Sequence, residues 1–335
     1  MKRTGILAGG NWIVDHVKLI DTWPAQDALA SILGQGDGNG GSAYNMVKDL
    51  AILGAAFPLA AAGLVGDDAD GRAILADCAR LRIDTTQLRV RAGVATSYTD
   101  VMTVKHTGRR TFFHQRGTNA RLDAADFDFT QTRAQHFHLG YLLLLDRLDE
   151  LVDGRPRAAE VLSRARAAGL TTSVDCVSEA SDRFQKHILP LLPEVDVLFA
   201  NDFEAEKLTG LAINHDGKID RAAVESAARR LIHQGVRQWA LIHFPEAVCA
   251  CAADGACVWQ PSVAVPADFI AGAAGAGDAL AAGVMLGWLG GKPMQECLRY
   301  GACAAAASLS HPSCSDGLRP LAECLALGDR FGFRG

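Results

Sequence analysis

Short apolar strands alternate with helical segments through the middle of the chain, and this alternation restricts the possible folds more than any other feature. We expect strands at 135–139, 171–175, 195–199 and 238–243, and helices at 155–168, 181–192, 202–210 and 220–234. Alternating strands and helices favour a mostly parallel sheet with helices on both faces. At 335 residues the chain could form one large α/β domain or two smaller ones.

The segments before this region follow a different pattern. Polar and apolar residues alternate over 98–104 and again over 111–114, with a polar turn between them, which predicts a β-hairpin. A hairpin inserted among α/β units indicates a small extra sheet projecting from the main body. Residues 21–41 contain many turn-forming residues and few periodic signals.

Charge and apolar patterning argue against several classes of partner. The formal net charge is −5, and no basic run or basic–aromatic stripe is present, so we expect no nucleic-acid partner. No apolar run reaches membrane-spanning length, and the N-terminus does not resemble a signal peptide. Nine cysteines without a CxxC pair favour reduced, mostly buried thiols in a cytoplasmic protein, with a metal site as the alternative.

A glycine-rich stretch near the C-terminus is the first candidate site. Gly272–Gly277 carries three glycines, Asp278 follows, and a helix is expected over 279–289. A glycine turn before a helix start brings free N–H groups and the positive end of the helix dipole to a ligand, which suits phosphate. Asp278 beside such a site suggests a general base that activates a hydroxyl. Alternatively, the glycines only permit close packing and Asp278 is an ordinary first-turn residue.

Two features near the N-terminus suggest contacts to a ligand. Asp15 follows an apolar run, where a carboxylate is costly unless it binds something; it could equally be a strand-end residue. Gly40 and Gly41 open a helix with apolar spacing over 42–54, and Asn45 lies one turn inside it. Its amide could reach a ligand at the helix start, although a solvent-facing Asn is the simpler alternative.

A polar cluster follows the strand at 195–199. Asn201 and Glu204 stand where that strand ends and the next helix begins, and ligands of open α/β sheets bind outside the carboxyl ends of strands. Their spacing also matches a capping box, which is the alternative interpretation. In the functional interpretation, Glu204 holds Mg²⁺ directly or through water, with Asn201 near the phosphates of ATP.

The order and spacing of these three features resemble the ribokinase-like (PfkB) family of sugar kinases. The resemblance covers roughly residues 5–327, and it implies one ribokinase-like domain over 1–335 with an α/β/α sandwich and a small β lid. The lid would come from residues 12–36 and 94–116, and it would favour a homodimer. The implied roles are as follows: Asp278 as catalytic base, Gly275, Ala276 and Gly277 with Ala274 as the anion hole, Asp15, Gly41 and Asn45 as substrate contacts, Asn201, Glu204, His243 and Ala274 on the nucleotide side, and Glu204 as metal ligand.

The sequence also departs from the family pattern. Gly272 and Ala273 replace the usual Asp-Thr before the glycine loop, which puts a monovalent-cation site in doubt. His243-Phe244-Pro245 replaces a Thr-x-Gly turn beside the nucleotide, and proline has no N–H to donate. Tyr141 stands in a region where ribokinases proper carry an acidic sugar contact, which argues against ribose specifically.

The leading hypothesis is an ATP-dependent kinase that phosphorylates a hydroxymethyl group of a small sugar or related polyol. The first alternative is a catalytically weakened family member that binds a sugar or nucleotide, and the departures at 272–273 and 243–245 motivate it. The second alternative is a nucleoside kinase on the same fold.

Overall fold

The computed structural model describes residues 3–335 as a nine-stranded β-sheet with helices packed around it, a four-stranded sheet and two short two-stranded pairs, Leu151–Val152 with Arg155–Pro156 and Asn214–His215 with Lys218–Ile219. The strands are β1 (Ile6–Gly10), β2 (Ile13–Ile20), β3 (Ile32–Gly40), β4 (Leu59–Gly66), β5 (Asp84–Arg91), β6 (Ser97–Val104), β7 (Arg110–Gln115), β8 (His136–Leu142), β9 (Leu151–Val152), β10 (Arg155–Pro156), β11 (Thr171–Cys176), β12 (Val197–Asn201), β13 (Asn214–His215), β14 (Lys218–Ile219), β15 (Trp239–Phe244), β16 (Ala247–Ala252) and β17 (Cys257–Pro261). The helices are α1 (Ser42–Leu53), α2 (Ala69–Arg80), α3 (Asp146–Asp149), α4 (Arg157–Ala167), α5 (Arg183–His187), α6 (Asp202–Thr209), α7 (Arg221–His233), α8 (Ala276–Leu289), α9 (Met294–Ser308) and α10 (Leu321–Phe331). None of these helices is long and apolar enough to cross a membrane within the described part of the chain.

The main sheet has nine strands in the order β17-β16-β15-β12-β11-β8-β1-β4-β5. Its strands from β15 to β5 pair in parallel, and only the β15–β16–β17 end is antiparallel. One hydrophobic cluster packs α4, α6 and α7 on one face, and a second packs α1, α2, α8 and α9 on the other. The expected α/β architecture with helices on both faces is therefore confirmed as a three-layer sandwich.

Four further strands form a separate sheet in the order β3-β2-β6-β7, which we call the small sheet. Strand β2 pairs in parallel with β6, whereas the β2–β3 and β6–β7 pairs are antiparallel. The expected hairpin is the β6–β7 pair. Strands β3 and β5 were not expected, because the glycines of β3 and the exposed polar residues of β5 give no apolar alternation.

Most predicted helices and strands are present with small shifts at their ends. Two helices differ from expectation. The helix predicted over 181–192 is divided into α5 and a 3₁₀ turn at Leu189–Glu194, because Pro190 and Pro193 lack the N–H that a continuous helix needs. Helix α8 begins at Ala276, three residues before the predicted start, so the helix includes Asp278 in its first turn.

The cysteines depart from the expectation of reduced thiols at one position. Cys251 and Cys257 lie directly opposite each other in the β16–β17 pair, with Cα atoms 4.2 Å apart, and are joined by a disulfide. The other seven cysteines are free and buried. Antiparallel pairing of β16 with β17 places the two thiols in register.

Candidate active site

A cavity of about 530 Å³ lies between the main sheet, the start of α8 and the small sheet. It opens at the carboxyl ends of the parallel strands, where ligands of such sheets bind. Every residue singled out from the sequence lines it. These residues are Asp15, Gly41, Asn45, Asn201, Glu204, His243, Ala274, Gly275, Ala276, Gly277 and Asp278. The structure thus brings the predicted residues together, while the role of each stays a prediction.

The glycine loop adopts a conformation that only glycine tolerates. Gly275 has φ of 70°, and a Cβ built there would lie 2.7 Å from the Cα of Cys314. A Cβ on Gly277 would lie 3.1 Å from the His243 ring. Helix α8 has no side-chain cap at its N-terminus, and its first N–H groups have no partner within the helix. The loop and helix start therefore present backbone donors to the cavity.

Asp278 is buried in the first turn of α8. The Asn45 amide donates to its Oδ2 at 3.0 Å, and the Tyr141 hydroxyl donates to the same oxygen at 2.9 Å. Burial raises the pKa of Asp278, and these two hydrogen bonds oppose the rise. No side chain of residues 3–335 donates to Oδ1, which leaves that oxygen able to accept a proton from a ligand.

A chain of hydrogen bonds fixes the orientation of Asn45. The amide nitrogen of Asn39 donates to Asn45 Oδ1 at 2.6 Å and to Ser315 Oγ at 2.7 Å. Because Asn45 accepts through its oxygen, its nitrogen is left to donate to Asp278. Asn45 is buried, so the solvent-facing alternative is wrong.

Asp15 lies on β2, opposite Thr99 of β6. Burial raises its pKa to about 7, and hydrogen bonds from Thr99 and Cys314 act against that rise. Nearby Gly41 has φ of 86°, and a Cβ there would lie 2.6 Å from the Asn11 carbonyl oxygen. Asp15 is therefore a half-protonated carboxyl near neutral pH, able to donate to or accept from a ligand hydroxyl.

Asn201 and Glu204 form the capping box that was the alternative interpretation. Asn201 Oδ1 accepts from the Glu204 N–H at 2.8 Å, and Glu204 Oε2 accepts from the Asn201 N–H at 3.0 Å. Ser178 Oγ donates to the other oxygen of Glu204 at 2.7 Å. Burial raises the pKa of Glu204 to about 7. Each carboxylate oxygen keeps a second lone pair beyond these hydrogen bonds, so capping and cation binding are compatible.

His243 is the next-to-last residue of β15 and lies beside Asn201 of β12. Burial lowers its pKa to about 4, so the ring is neutral at physiological pH. Its contact with Gly277 places it against the start of α8, on the side of the cavity that carries Asn201.

Several lining residues were not predicted as site residues, among them Tyr141, Asp175 and Cys314. Tyr141 has φ of 47°, and its N–H donates to Asp175 Oδ1 at 2.6 Å while its hydroxyl reaches Asp278. Asp175 ends β11, and Ser42 donates to its Oδ2 at 2.6 Å. Asp175 could have been found, because it follows a buried strand at the ligand-binding edge. Cys314 lies in the loop after α9, where the sequence carries no signal.

The fold and this cavity define a class of protein. A glycine loop and free helix N–H groups face a buried carboxylate, which suits transfer of a phosphoryl group to a hydroxyl. The profile of the pfkB family carbohydrate kinases matches residues 13–320. The chain belongs to this family, and it is a phosphotransferase with an alcohol group as acceptor.

A curated relative and two solved structures support this assignment. The relative is the ATP-dependent ribose-1-phosphate kinase of Halopiger xanaduensis, 30% identical over 305 residues that cover 90% of each chain. Arabidopsis thaliana ribokinase, complexed with ribose and ATP, is similar with a TM-score of 0.77, 19% identity and coverage of 98% of this chain and 99% of that one. The Methanocaldococcus jannaschii nucleoside kinase gives a TM-score of 0.76, 15% identity and coverage of 98% and 100%. At these identities the two structures show the ribokinase-like fold.

Proposed function

We propose that the protein transfers the γ-phosphoryl group of ATP to a hydroxymethyl group of a small sugar or related polyol. The observation that carries the proposal is Asp278, buried in the first turn of α8 beside free backbone donors, with no side chain of residues 3–335 donating to its Oδ1. A positioned base next to an anion site is the pair that phosphoryl transfer to an alcohol requires.

In this mechanism Asp278 Oδ1 accepts the proton of the acceptor hydroxyl as its oxygen attacks phosphorus. The bond between the γ-phosphorus and the bridging oxygen breaks, and ADP leaves. The N–H groups at Ala274–Gly277 stabilise charge on the transferring group. Asn45 and Tyr141 hold the carboxylate in place through Oδ2. The elevated pKa of Asp278 makes it a stronger base than an exposed aspartate.

ATP and Mg²⁺ are assigned to the end of the cavity that contains Asn201, Glu204 and His243. The donor set fits a hard cation, because Glu204 offers carboxylate oxygens with free lone pairs and Mg²⁺ needs few protein ligands. Burial keeps the pKa of Glu204 near 7, and a bound cation would favour its charged form. When bound, Mg²⁺ offsets the charge of the phosphates.

The acceptor is assigned to the opposite end, where Asp15, Gly41 and Asn45 lie. The small sheet, from segments 12–36 and 94–116, acts as the lid that covers it and excludes water. The name of the Halopiger relative makes ribose 1-phosphate an acceptor to test beside neutral sugars and nucleosides.

The test is ADP release with Mg²⁺-ATP against a panel of sugars, sugar phosphates and nucleosides. Asp278→Asn should lower kcat by about 10²–10⁴-fold, the usual contribution of a general base. Asp329→Asn, on the surface of α10 where it pairs with Arg299, is the matched control and should keep full activity.

Folded protein that releases no ADP with any acceptor would contradict the kinase proposal. If a panel member then still raised the melting temperature, the weakened binding protein would replace it.

A further inference from the structure

One face of strand β7 points into the acceptor end of the cavity. Arg110, Phe112 and His114 line the cavity, whereas Thr111 and Phe113 between them do not. Successive residues of a strand point to opposite sides, so this alternation is the pleat of β7. The strand therefore aims one guanidinium and one imidazole at whatever the cavity holds.

Arg110 carries an unsatisfied donor. Its Nη1 is shut off from solvent and has no hydrogen-bond partner within residues 3–335. A buried guanidinium nitrogen without an acceptor is costly, and such a group in a folded protein calls for an explanation. A ligand oxygen that occupies the cavity would supply the missing acceptor.

The unpaired guanidinium of Arg110 favours a ligand that carries an anionic group at this end of the cavity. Arg110 is the one permanently charged cation among the described lining residues, which also include four carboxyl groups. The four are Asp15, Asp175, Glu204 and Asp278. Nη1 of Arg110 bonds to none of them, so its positive charge remains available to a ligand. The planar guanidinium matches the geometry of a phosphate.

Arg110 lies on the acceptor side of the cavity. Its strand, β7, pairs with β6, and β6 pairs with β2, the strand that carries Asp15. The Cys314 thiol also lines the cavity and lies 3.8 Å from an Asp15 oxygen. The nucleotide side, with Asn201 and His243, is carried by β12 and β15 of the main sheet.

His114 is a second residue on the same face with a buried ring nitrogen that has no partner within residues 3–335. Its Nδ1 lies 3.1 Å from Thr99 Oγ1, and its Nε2 is buried without a partner. Burial lowers the pKa of His114 to about 4, so the ring is neutral at physiological pH. With Nδ1–H on Thr99, whose own hydroxyl bonds to Asp15, Nε2 is suited to accept from a hydroxyl of the acceptor. Two unpartnered nitrogens on one strand face indicate a surface built for a polar ligand.

We propose that Arg110 binds a phosphate group carried by the acceptor, so that the natural acceptor is a sugar monophosphate. This rests on the proposed kinase function. The hydroxymethyl oxygen of the acceptor forms the new bond to phosphorus, its proton goes to Asp278, and ADP departs. The products are ADP and a sugar bisphosphate.

The experiment compares steady-state kinetics of ribose 1-phosphate and fructose 6-phosphate with those of the parent sugars. Wild-type protein should prefer a phosphorylated acceptor. Arg110→Gln should raise its KM by roughly 10- to 100-fold, the effect of losing a charged hydrogen bond, with little change in kcat or in the kinetics of neutral sugars. Arg110→Lys should restore part of the affinity. Arg109→Gln, the exposed neighbour, is the matched control and should change nothing.

Three results would overturn this inference. A wild-type preference for neutral sugars would do so and leave the kinase proposal intact. A fall in kcat for all acceptors in Arg110→Gln would show that Arg110 acts on the transferring phosphoryl group instead. If no acceptor turns over, the kinase proposal fails, and calorimetric titration of ribose 1-phosphate and fructose 6-phosphate into Asp278→Asn decides the binding question. If adding Arg110→Gln to Asp278→Asn leaves the affinity for both sugar phosphates unchanged, the role of Arg110 is refuted.

Discussion

The conformation of the glycine loop depends on the left-handed backbone of Gly275. Its φ of 70° is one that residues with a Cβ seldom adopt. The position is also crowded, because the missing Cβ would lie 2.7 Å from Cys314 atoms. Gly54 at the end of α1 shares the first property with φ of 88°, but it faces open space. Substituting each glycine therefore separates the free-energy cost of a left-handed backbone from the cost of steric crowding.

We expect Gly54→Ala to lower the free energy of unfolding by about 1–2 kcal/mol, the cost of a left-handed residue with a Cβ. Gly275→Ala should cost roughly 1–3 kcal/mol more, since the Cys314 loop must move, and should abolish turnover because the N–H groups at the start of α8 shift. Urea unfolding and ADP release measure the two effects. Equal destabilisation by Gly54→Ala and Gly275→Ala would show that packing against the Cys314 loop does not constrain the glycine loop.

Single residues were predictable where chemistry and spacing coincide. Asp278 after glycines and the three-residue spacing of Asn201 and Glu204 are local patterns, and the latter correctly allowed a capping box. Tyr141 and Cys314 were not predictable. They reach the cavity through a left-handed turn and a loop that are far from Asp278 in sequence, and only the folded backbone brings them there.

Among the elements, the small sheet is joined to α2 through one imidazole. His16 of β2 lies between Asp37 of β3, with Nδ1–Oδ1 of 2.7 Å, and Asp70 of α2, with Nε2–Oδ2 of 3.2 Å. Partial burial opposes its charged form, but the hydrogen bond to Asp37 and the charge of Asp70 outweigh this and raise its pKa above 6.5. The Tyr98 ring packs nearby, with centroids 5.5 Å apart.

Because the pKa of His16 is raised in the folded state, the sign of its effect on stability as pH changes is determined. The stability from His16 is fully present below the unfolded value of about 6.5 and is lost as pH rises through the higher folded value. His16→Gln should therefore lower the urea midpoint more at pH 6 than at pH 9. His215→Gln, on the exposed β13–β14 turn, serves as the control. The same loss at both pH values would mean that His16 acts by packing alone.

Elements were predictable to the extent that their apolar pattern shows which side is buried. The strands β8, β11, β12 and β15 are mostly buried because helices cover both faces of the sheet, and β12 and β15 are also mostly apolar. Strand β3 has no such pattern, since it lies in a four-stranded sheet with most of its residues exposed. Its pairing with β2 is decided by backbone hydrogen bonds that the residue types do not specify.

At the scale of the whole molecule, the parallel order of the main sheet explains why distant residues meet. Strands β8, β11, β12 and β15 are adjacent in the sheet and run the same way. Tyr141, Asp175, Asn201 and His243 near their carboxyl ends therefore lie along one edge. The alternation of strands and helices was sufficient to predict this edge, but not which side of it the small sheet would cover.

The small sheet and its loops also carry most of the large apolar side chains that the protein exposes. Leu29 is 88% exposed, Ile32 is 54% exposed and Phe113 is 51% exposed. Clustered exposed apolar residues mark surfaces that associate with a partner. The resemblance to sugar kinases had implied a homodimer through this region. The outer surface of the small sheet is therefore the expected interface between two copies of the chain.

The chain should sediment as a dimer, and Ile32→Lys should shift it toward monomer, because a buried lysine in an apolar interface is strongly unfavourable. Val152→Lys is the matched control, since Val152 is 51% exposed but lies on β9, outside the small sheet. Analytical ultracentrifugation over a range of concentrations measures both. A dimer that tolerates Ile32→Lys would place the interface elsewhere, and a wild-type monomer would contradict the prediction.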